Sequence, residues 1–231
     1  MTKQFYIIGH RGAPALAPEN TIPSFARAIA EKVDGIELDV HYVDHQLVVI
    51  HDETVDRTSN GKGKLHELSF DELRQLDFGD GATIPTLVEV IEATPNSILI
   101  NVELKGQDTG RPVAQLLHNY PTHEFMVSSF DRRELAHITE ELSTHPNTEV
   151  ALLGVRLTSR LMEEARQLNI RTLNVSNKFL KRKKLSLALQ CGFRINVYTV
   201  NYATRARQLR NIGVSGVFTD DPAKLRALHD D

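Results

Sequence analysis

Apolar and polar positions follow two rhythms along this chain. Short runs rich in β-branched residues read as strands, at 5–9, 35–40, 98–105, 124–128, 149–153, 171–175, 194–199 and 216–219. Between them lie stretches with the helical spacing of apolar residues, at 21–31, 87–93, 111–119, 133–142, 160–168, 180–190, 204–211 and 222–228. Strand followed by helix, repeated throughout, predicts a parallel sheet. Eight repeats predict a closed α/β architecture, a (β/α)8 TIM barrel, over an open sheet.

Start and stop signals agree with the helices. Thr21 precedes Pro23 in a first turn, Thr86 precedes Leu87-Val88-Glu89, and Asp131 and Asp221 precede two others. Gly192 follows the sixth helix as a C-cap. The alternation breaks between 44 and 85. Leu47–Ile50 predicts an extra strand in a hairpin with the second strand, followed by the loop Ser59-Asn60-Gly61-Lys62-Gly63 and a small capped helix at 69–76. Residues 44–85 thus read as an insertion in a single domain spanning 1–231, folded over the end of the barrel where active sites lie.

Composition narrows the class. The chain has 231 residues, 41% hydrophobic, enough for a large core. Its net charge of −3 lacks the basic field that nucleic-acid binding requires. Composition does not set the oligomeric state. The single cysteine, Cys191, excludes an internal disulfide; it reads as a small packed residue in a reducing compartment. The first residues lack a signal-peptide pattern, and no apolar run is long enough to span a bilayer. The expectation is a soluble, cytoplasmic protein without stable membrane insertion.

The candidate chemistry sits at strand ends. His10-Arg11-Gly12 comes directly off the apolar run Phe5-Tyr6-Ile7-Ile8. A guanidinium binds phosphate oxygens bidentately, and an imidazole moves protons near neutrality. In Gly35–Val40, Glu37 and Asp39 are two apart and share one face, the barrel interior. Two inward carboxylates repel unless a cation lies between them. Glu103 and Lys105 repeat the spacing, which adds a third oxygen ligand and a cation for a phosphate. Three carboxylates without Cys or paired His suit Mg2+ or Ca2+.

His51 ends the apolar run 47–50 and supplies a second imidazole, so one can act as base and the other as acid. The other eight histidines read as solvated, with His41 placed just past the barrel mouth because it continues the Glu37–Asp39 face. Glu19 is a candidate second-layer group, holding Arg11 or lying outside the metal; Asn20 reads as a helix cap. Ser128 and Tyr198 lie at strand ends as weaker pocket candidates, and Lys181–Lys184 reads as a solvated helix face.

Taken in order, His10-Arg11-Gly12, Pro18-Glu19-Asn20-Thr21, Glu37-Leu38-Asp39-Val40, His51-Asp52, Arg57-Thr58-Ser59-Asn60-Gly61, Ile84-Pro85-Thr86-Leu87, Val102-Glu103-Leu104-Lys105, Tyr198-Thr199-Val200-Asn201 and Thr219-Asp220 resemble the glycerophosphodiester phosphodiesterase family across nearly the whole chain. The resemblance implies a TIM barrel with a small insertion after the second strand. It also implies metal-dependent hydrolysis of a small glycerophosphodiester to glycerol 3-phosphate and an alcohol. By position it makes Glu37, Asp39 and Glu103 the ligands of one divalent cation, Mg2+ or Ca2+, and His10 and His51 the acid–base pair, with Arg11 and Lys105 on the phosphate. His10 is preferred as the base and His51 as the acid. The turn Val43-Asp44-His45-Gln46 departs from the pattern, since it lacks the usual glycine. Two rival readings remain: a phospholipase D-like enzyme acting on lysophospholipids, and a barrel that binds sugar phosphates without turnover.

Overall fold

The computed structural model describes residues 5–229. Among them, nine strands form one sheet: β1 (Tyr6–Gly9), β2 (Gly35–Val43), β3 (Gln46–Val49), β4 (Leu99–Leu104), β5 (Phe125–Ser129), β6 (Thr148–Gly154), β7 (Thr172–Ser176), β8 (Arg194–Tyr198) and β9 (Gly216–Thr219). Eight of them run parallel in the order β1-β9-β8-β7-β6-β5-β4-β2, and β1 pairs with β2 to close the barrel. The strands are buried on both faces, which is why they read as near-continuous apolar runs. Their outward side chains meet the helices in one continuous core that includes Val102, Leu135, Leu152 and Val197.

The helices are α1 (Ile22–Ala30), α2 (Phe70–Arg74), α3 (Leu87–Ala93), α4 (Gly110–Leu117), α5 (Arg132–Leu142), α6 (Ser159–Gln167), α7 (Arg182–Gln190) and α8 (Ala203–Ile212). Thr21 caps α1 by accepting from Ser24 N–H, and Thr86 and Glu89 form a full capping box at α3. The expected last helix at 222–228 is instead two short 3-10 turns, Pro222–Lys224 and Arg226–His229. The Asp221 side chain makes no cap bond and pairs with Lys224 at 2.7 Å, so it does not start an α-helix there.

After β2 the chain turns back into β3, antiparallel, with Val43 opposite Gln46. The two turn residues, Asp44 and His45, have φ of +47° and +60°. A two-residue hairpin needs left-handed backbone at both positions, and here an Asp and a His supply it in place of glycine. The segment then packs a small apolar cluster of its own, including Val55, Leu65, Leu73 and Ile84. Arg74 donates to Glu89 at 2.9 Å and fastens α2 to α3. No helix among the described residues is long and apolar enough to cross a membrane.

Candidate active site

Barrel register brings the distant acids together. Asp39 on β2 lies beside Glu103 on β4, which lies beside Ser128 on β5; one layer deeper, Glu37 lies beside Asn101, which lies beside Met126. Residues in register share a face, so these side chains all point inward. One oxygen from each of Glu37, Asp39 and Glu103 can be chosen so that all three lie within 4.8 Å of one another. All three residues are buried. Buried like charges this close demand a cation or protonation.

Protein cations partly meet that demand. Lys105 Nζ lies 3.1 Å from Asp39 and also contacts Glu103, while Arg11 Nε lies 3.3 Å from Asp39. Burial pushes the Asp39 carboxyl up, but Lys105 and Arg11 outweigh it and hold Asp39 below the usual carboxylate range. Glu37 has no comparable partner. Burial, with Asp39 beside it, pushes Glu37 up to about 8, and burial likewise raises Glu103. Glu37 Oε1 is buried without a hydrogen-bond donor, as is Asn101 Oδ1. A cluster of carboxylates with an unsatisfied buried oxygen fits a hard divalent cation.

Glu37 Oε2 does have a task. It accepts the Arg11 N–H at 2.8 Å, with Arg11 in the left-handed region at φ +54°. Gly12 follows at φ +87°, and a side chain there would strike Ser24 Oγ at 2.5 Å. The turn carrying His10 and Arg11 is therefore built against the mouth of β2.

Each histidine is held by a carboxylate. His10 Nδ1 donates to Asp220 at 2.7 Å, and His51 Nδ1 donates to Asp52 at 2.6 Å. Carboxylates only accept, so each contact places a proton on Nδ1 and leaves Nε2 as the free nitrogen. Burial lowers both imidazoles. At His10 the Asp220 hydrogen bond and the charge of Glu37 outweigh it, and the pKa rises. At His51 burial prevails and the pKa falls.

His10, Arg11, Glu37, His51, Glu103 and Lys105 line a cavity of about 240 Å3, whose other wall is Phe130, Leu153, Val155 and Tyr198. A larger hollow of about 530 Å3, with Tyr6, Glu149 and Arg194, opens at the opposite barrel end and contains none of these six residues.

Several expectations need correction. Asn20 is not the helix cap; Thr21 is. Buried Asn20 instead donates to Asp39 Oδ2 at 2.9 Å and accepts from Asp39 N–H at 3.3 Å, holding Asp39 by both its carboxylate and its backbone. His41, His123 and His145 are buried, not solvated. Each reaches a backbone carbonyl: His41 Nε2 donates to His51 O at 3.2 Å, and the other two donate from Nε2 to Thr94 O and Leu117 O. Cys191 is exposed rather than packed, at the C-cap of α7 beyond the buried face of the helix. Glu19 takes the first of its two expected roles, accepting from Arg11 Nη1 at 2.8 Å.

Residues that the family motifs contain, but to which the sequence assigns no role, also matter. Asp220 is one: Asn201 Nδ2 donates to it at 2.9 Å, and Asn201 Oδ1 accepts from the Asp220 N–H at 2.9 Å. Arg57, on the long excursion after β3, bonds both Asp52 and Glu19. The signals for Asp220 were the motif Thr219-Asp220 and its place directly after the last strand.

Comparison with known proteins agrees with this arrangement. Residues 10–224 match the Glycerophosphoryl diester phosphodiesterase family. A glycerophosphodiester phosphodiesterase of Caldanaerobacter subterraneus subsp. tengcongensis is 34% identical over 239 residues, covering 95% of each chain. One from Bacillus altitudinis is 31% identical over 255 residues, covering 100% of this chain and 99% of that one. The structure of an Oleispira antarctica phosphodiesterase in complex with the product sn-glycerol-3-phosphate superposes with a TM-score of 0.88 at 27% identity, covering 98% and 97% of the two chains.

Proposed function

Because the chain belongs to the glycerophosphoryl diester phosphodiesterase family and is thus a glycerophosphodiester-hydrolysing enzyme, we propose that it releases sn-glycerol 3-phosphate and an alcohol by metal-dependent, two-histidine acid–base catalysis. The observation that carries this reading is the triad of carboxylates within 4.8 Å of one another, two of which, Glu37 and Glu103, line one cavity with two carboxylate-held histidines.

Glu37, Asp39 and Glu103 would hold the cation, Mg2+ or Ca2+, with oxygen ligands only. When bound, the cation supplies charge withdrawal from a phosphate oxygen. Arg11, beside Asp39, and Lys105, beside Asp39 and Glu103, would bind the remaining phosphate oxygens. One imidazole takes a proton at Nε2 from the attacking hydroxyl, of water or of the substrate's own glycerol, and the other gives a proton to the departing alcohol oxygen; attack by the glycerol hydroxyl leaves a cyclic phosphate, which water then opens in a second step to give glycerol 3-phosphate. Asp220 and Asp52 keep each ring in the tautomer that does this. Glu19 and Arg57 orient Arg11 and Asp52.

Residues 44–85 serve in this reading as an inserted subdomain of a single 1–231 domain, supported by their separate apolar cluster. His51, Asp52 and Arg57 all lie on it.

The test is a coupled assay for glycerol 3-phosphate release from glycerophosphocholine, with and without EDTA. Release that EDTA abolishes and Mg2+ or Ca2+ restores is the expected result. Release indifferent to EDTA, or choline release with a cyclic phosphate retained, overturns the reading.

A further inference from the structure

Between Ala165 and Thr219 the sequence contains no aspartate or glutamate, yet it carries eleven of the 27 lysines and arginines. All 30 acidic residues lie outside this stretch, so a chain of net charge −3 divides into a basic sector and an acidic remainder. The stretch covers β7, α7, β8 and α8. In the barrel, β7 lies four strands from β2 in either direction, so this sector stands opposite the acid-bearing insertion.

The mouth of that sector, together with the adjoining loops after β5 and β6, carries two further features. The loops after β5, β6 and β8 expose Phe130, Val155 and Tyr202, at 39%, 50% and 73% of their surfaces. Phe130 and Val155 continue the apolar wall of the active-site cavity outward to its rim. Interleaved with them are cations that carry no acidic partner among the described residues. Arg156 and Lys178 lie over the Phe179 ring at 4.5 and 5.5 Å, and Lys181, Arg182 and Lys183 are exposed where α7 begins. The acids bordering this arc are already neutralised, Asp131 by Arg133 and Glu164 by Arg132 and Arg160.

We propose that this arc, from Phe130 through Arg156 and Lys181–Lys183 to Tyr202, docks the barrel mouth on an anionic phospholipid surface. Unpaired cations around exposed aromatic and aliphatic side chains match such a surface in charge and polarity: the cations meet lipid phosphates, and the apolar groups enter the headgroup layer. A nucleic acid or acidic protein would use the cations but would leave Val155 and the outer face of Phe130 unexplained. Docking is separate from the phosphodiesterase reading, because it requires no turnover.

The test is co-sedimentation of the full chain with vesicles of phosphatidylcholine alone, and of phosphatidylcholine and phosphatidylglycerol in equal parts, at low and raised salt. Binding is expected to the anionic vesicles only and to weaken with salt. The triple variant Lys181→Gln, Arg182→Gln, Lys183→Gln should bind on the order of a hundredfold more weakly, at about fivefold per cation near an anionic surface. Tyr202→Ser should weaken binding several-fold. Both variants should release glycerol 3-phosphate from a soluble substrate at the wild-type rate, which also reports that they fold. No binding to anionic vesicles, binding unchanged in the triple variant, or retention on heparin without vesicle binding would each overturn the proposal.

Discussion

Arg57 donates from Nη1 and Nη2 to both oxygens of Glu19, at 2.8 and 2.9 Å. Its Nε reaches Asp52 at 2.6 Å, and Asp52 accepts from His51 while Glu19 accepts from Arg11. One half-exposed arginine on the insertion therefore joins the two arms of the site, His51 on one side and Arg11 on the other. A lysine cannot reproduce the fork. Arg57→Lys should lower kcat by about ten- to a hundredfold, the usual cost of losing a group that orients a catalytic residue. The chain should still melt cooperatively, because exposed ion pairs contribute little to stability. Steady-state kinetics beside a thermal melt check this; wild-type kcat would remove Arg57 from the machinery.

Loss of either imidazole should be severe and the two losses should not add. His10→Ala and His51→Ala should each lower kcat by roughly two to four decades. The double variant should fall little further, because one proton-transfer relay is broken once. Near wild-type turnover in either single variant counts against the two-histidine mechanism.

Metal uptake should release a proton. With no cation present, burial and Asp39 push Glu37 up to about 8, so at neutral pH it carries a proton that a divalent ion must displace. Calorimetric titration with Mg2+ or Ca2+ in two buffers of different ionisation enthalpy should show about one proton released at neutral pH and less above about pH 9. Equal release at both pH values would assign the proton elsewhere. Glu37→Gln should abolish the release together with the tight binding.

Acid should act through the carboxylates that hold the histidines. Hydrogen bonds from Arg57 and His51 set Asp52 below its ordinary range. At Asp220, burial acts upward but the bonds from His10 and Asn201 outweigh it. A depressed carboxylate stabilises the fold above its unfolded pKa and loses that contribution as pH falls through the folded one. Wild type should therefore lose stability below about pH 4, and Asp52→Asn should lose less over the same window. Urea midpoints at descending pH measure this, and parallel curves for the two proteins would contradict it.

Much of the architecture was legible because its signals are local. The strand Gly35–Val43 announces itself by apolar alternation, and Glu37 and Asp39 share a face by the period of the strand alone. Even the hairpin at Asp44–His45 closes where the reading placed it, although neither turn residue is a glycine. The failures share a cause. The segment 222–228 has helical spacing, but Asp221 engages Lys224 instead of capping. His123 and His145 fall in polar-looking stretches between elements, and their burial depends on packing against Thr94 and Leu117 from other elements. Asn20 looks like a cap next to Thr21, and only the approach of β2 gives it Asp39.

By itself, then, the order of residues determined the eight-fold repeat, the inward direction of Glu37, Asp39, Glu103 and Lys105, and the presence of two histidines at strand ends, since periods of two and 3.6 residues are properties of a short stretch of backbone. Tertiary structure alone decided which groups meet. His10 finds Asp220 across 210 residues of chain, and Arg57 finds Glu19 across 38. Such contacts follow from barrel closure and from the path of the chain after β3, which no local pattern encodes.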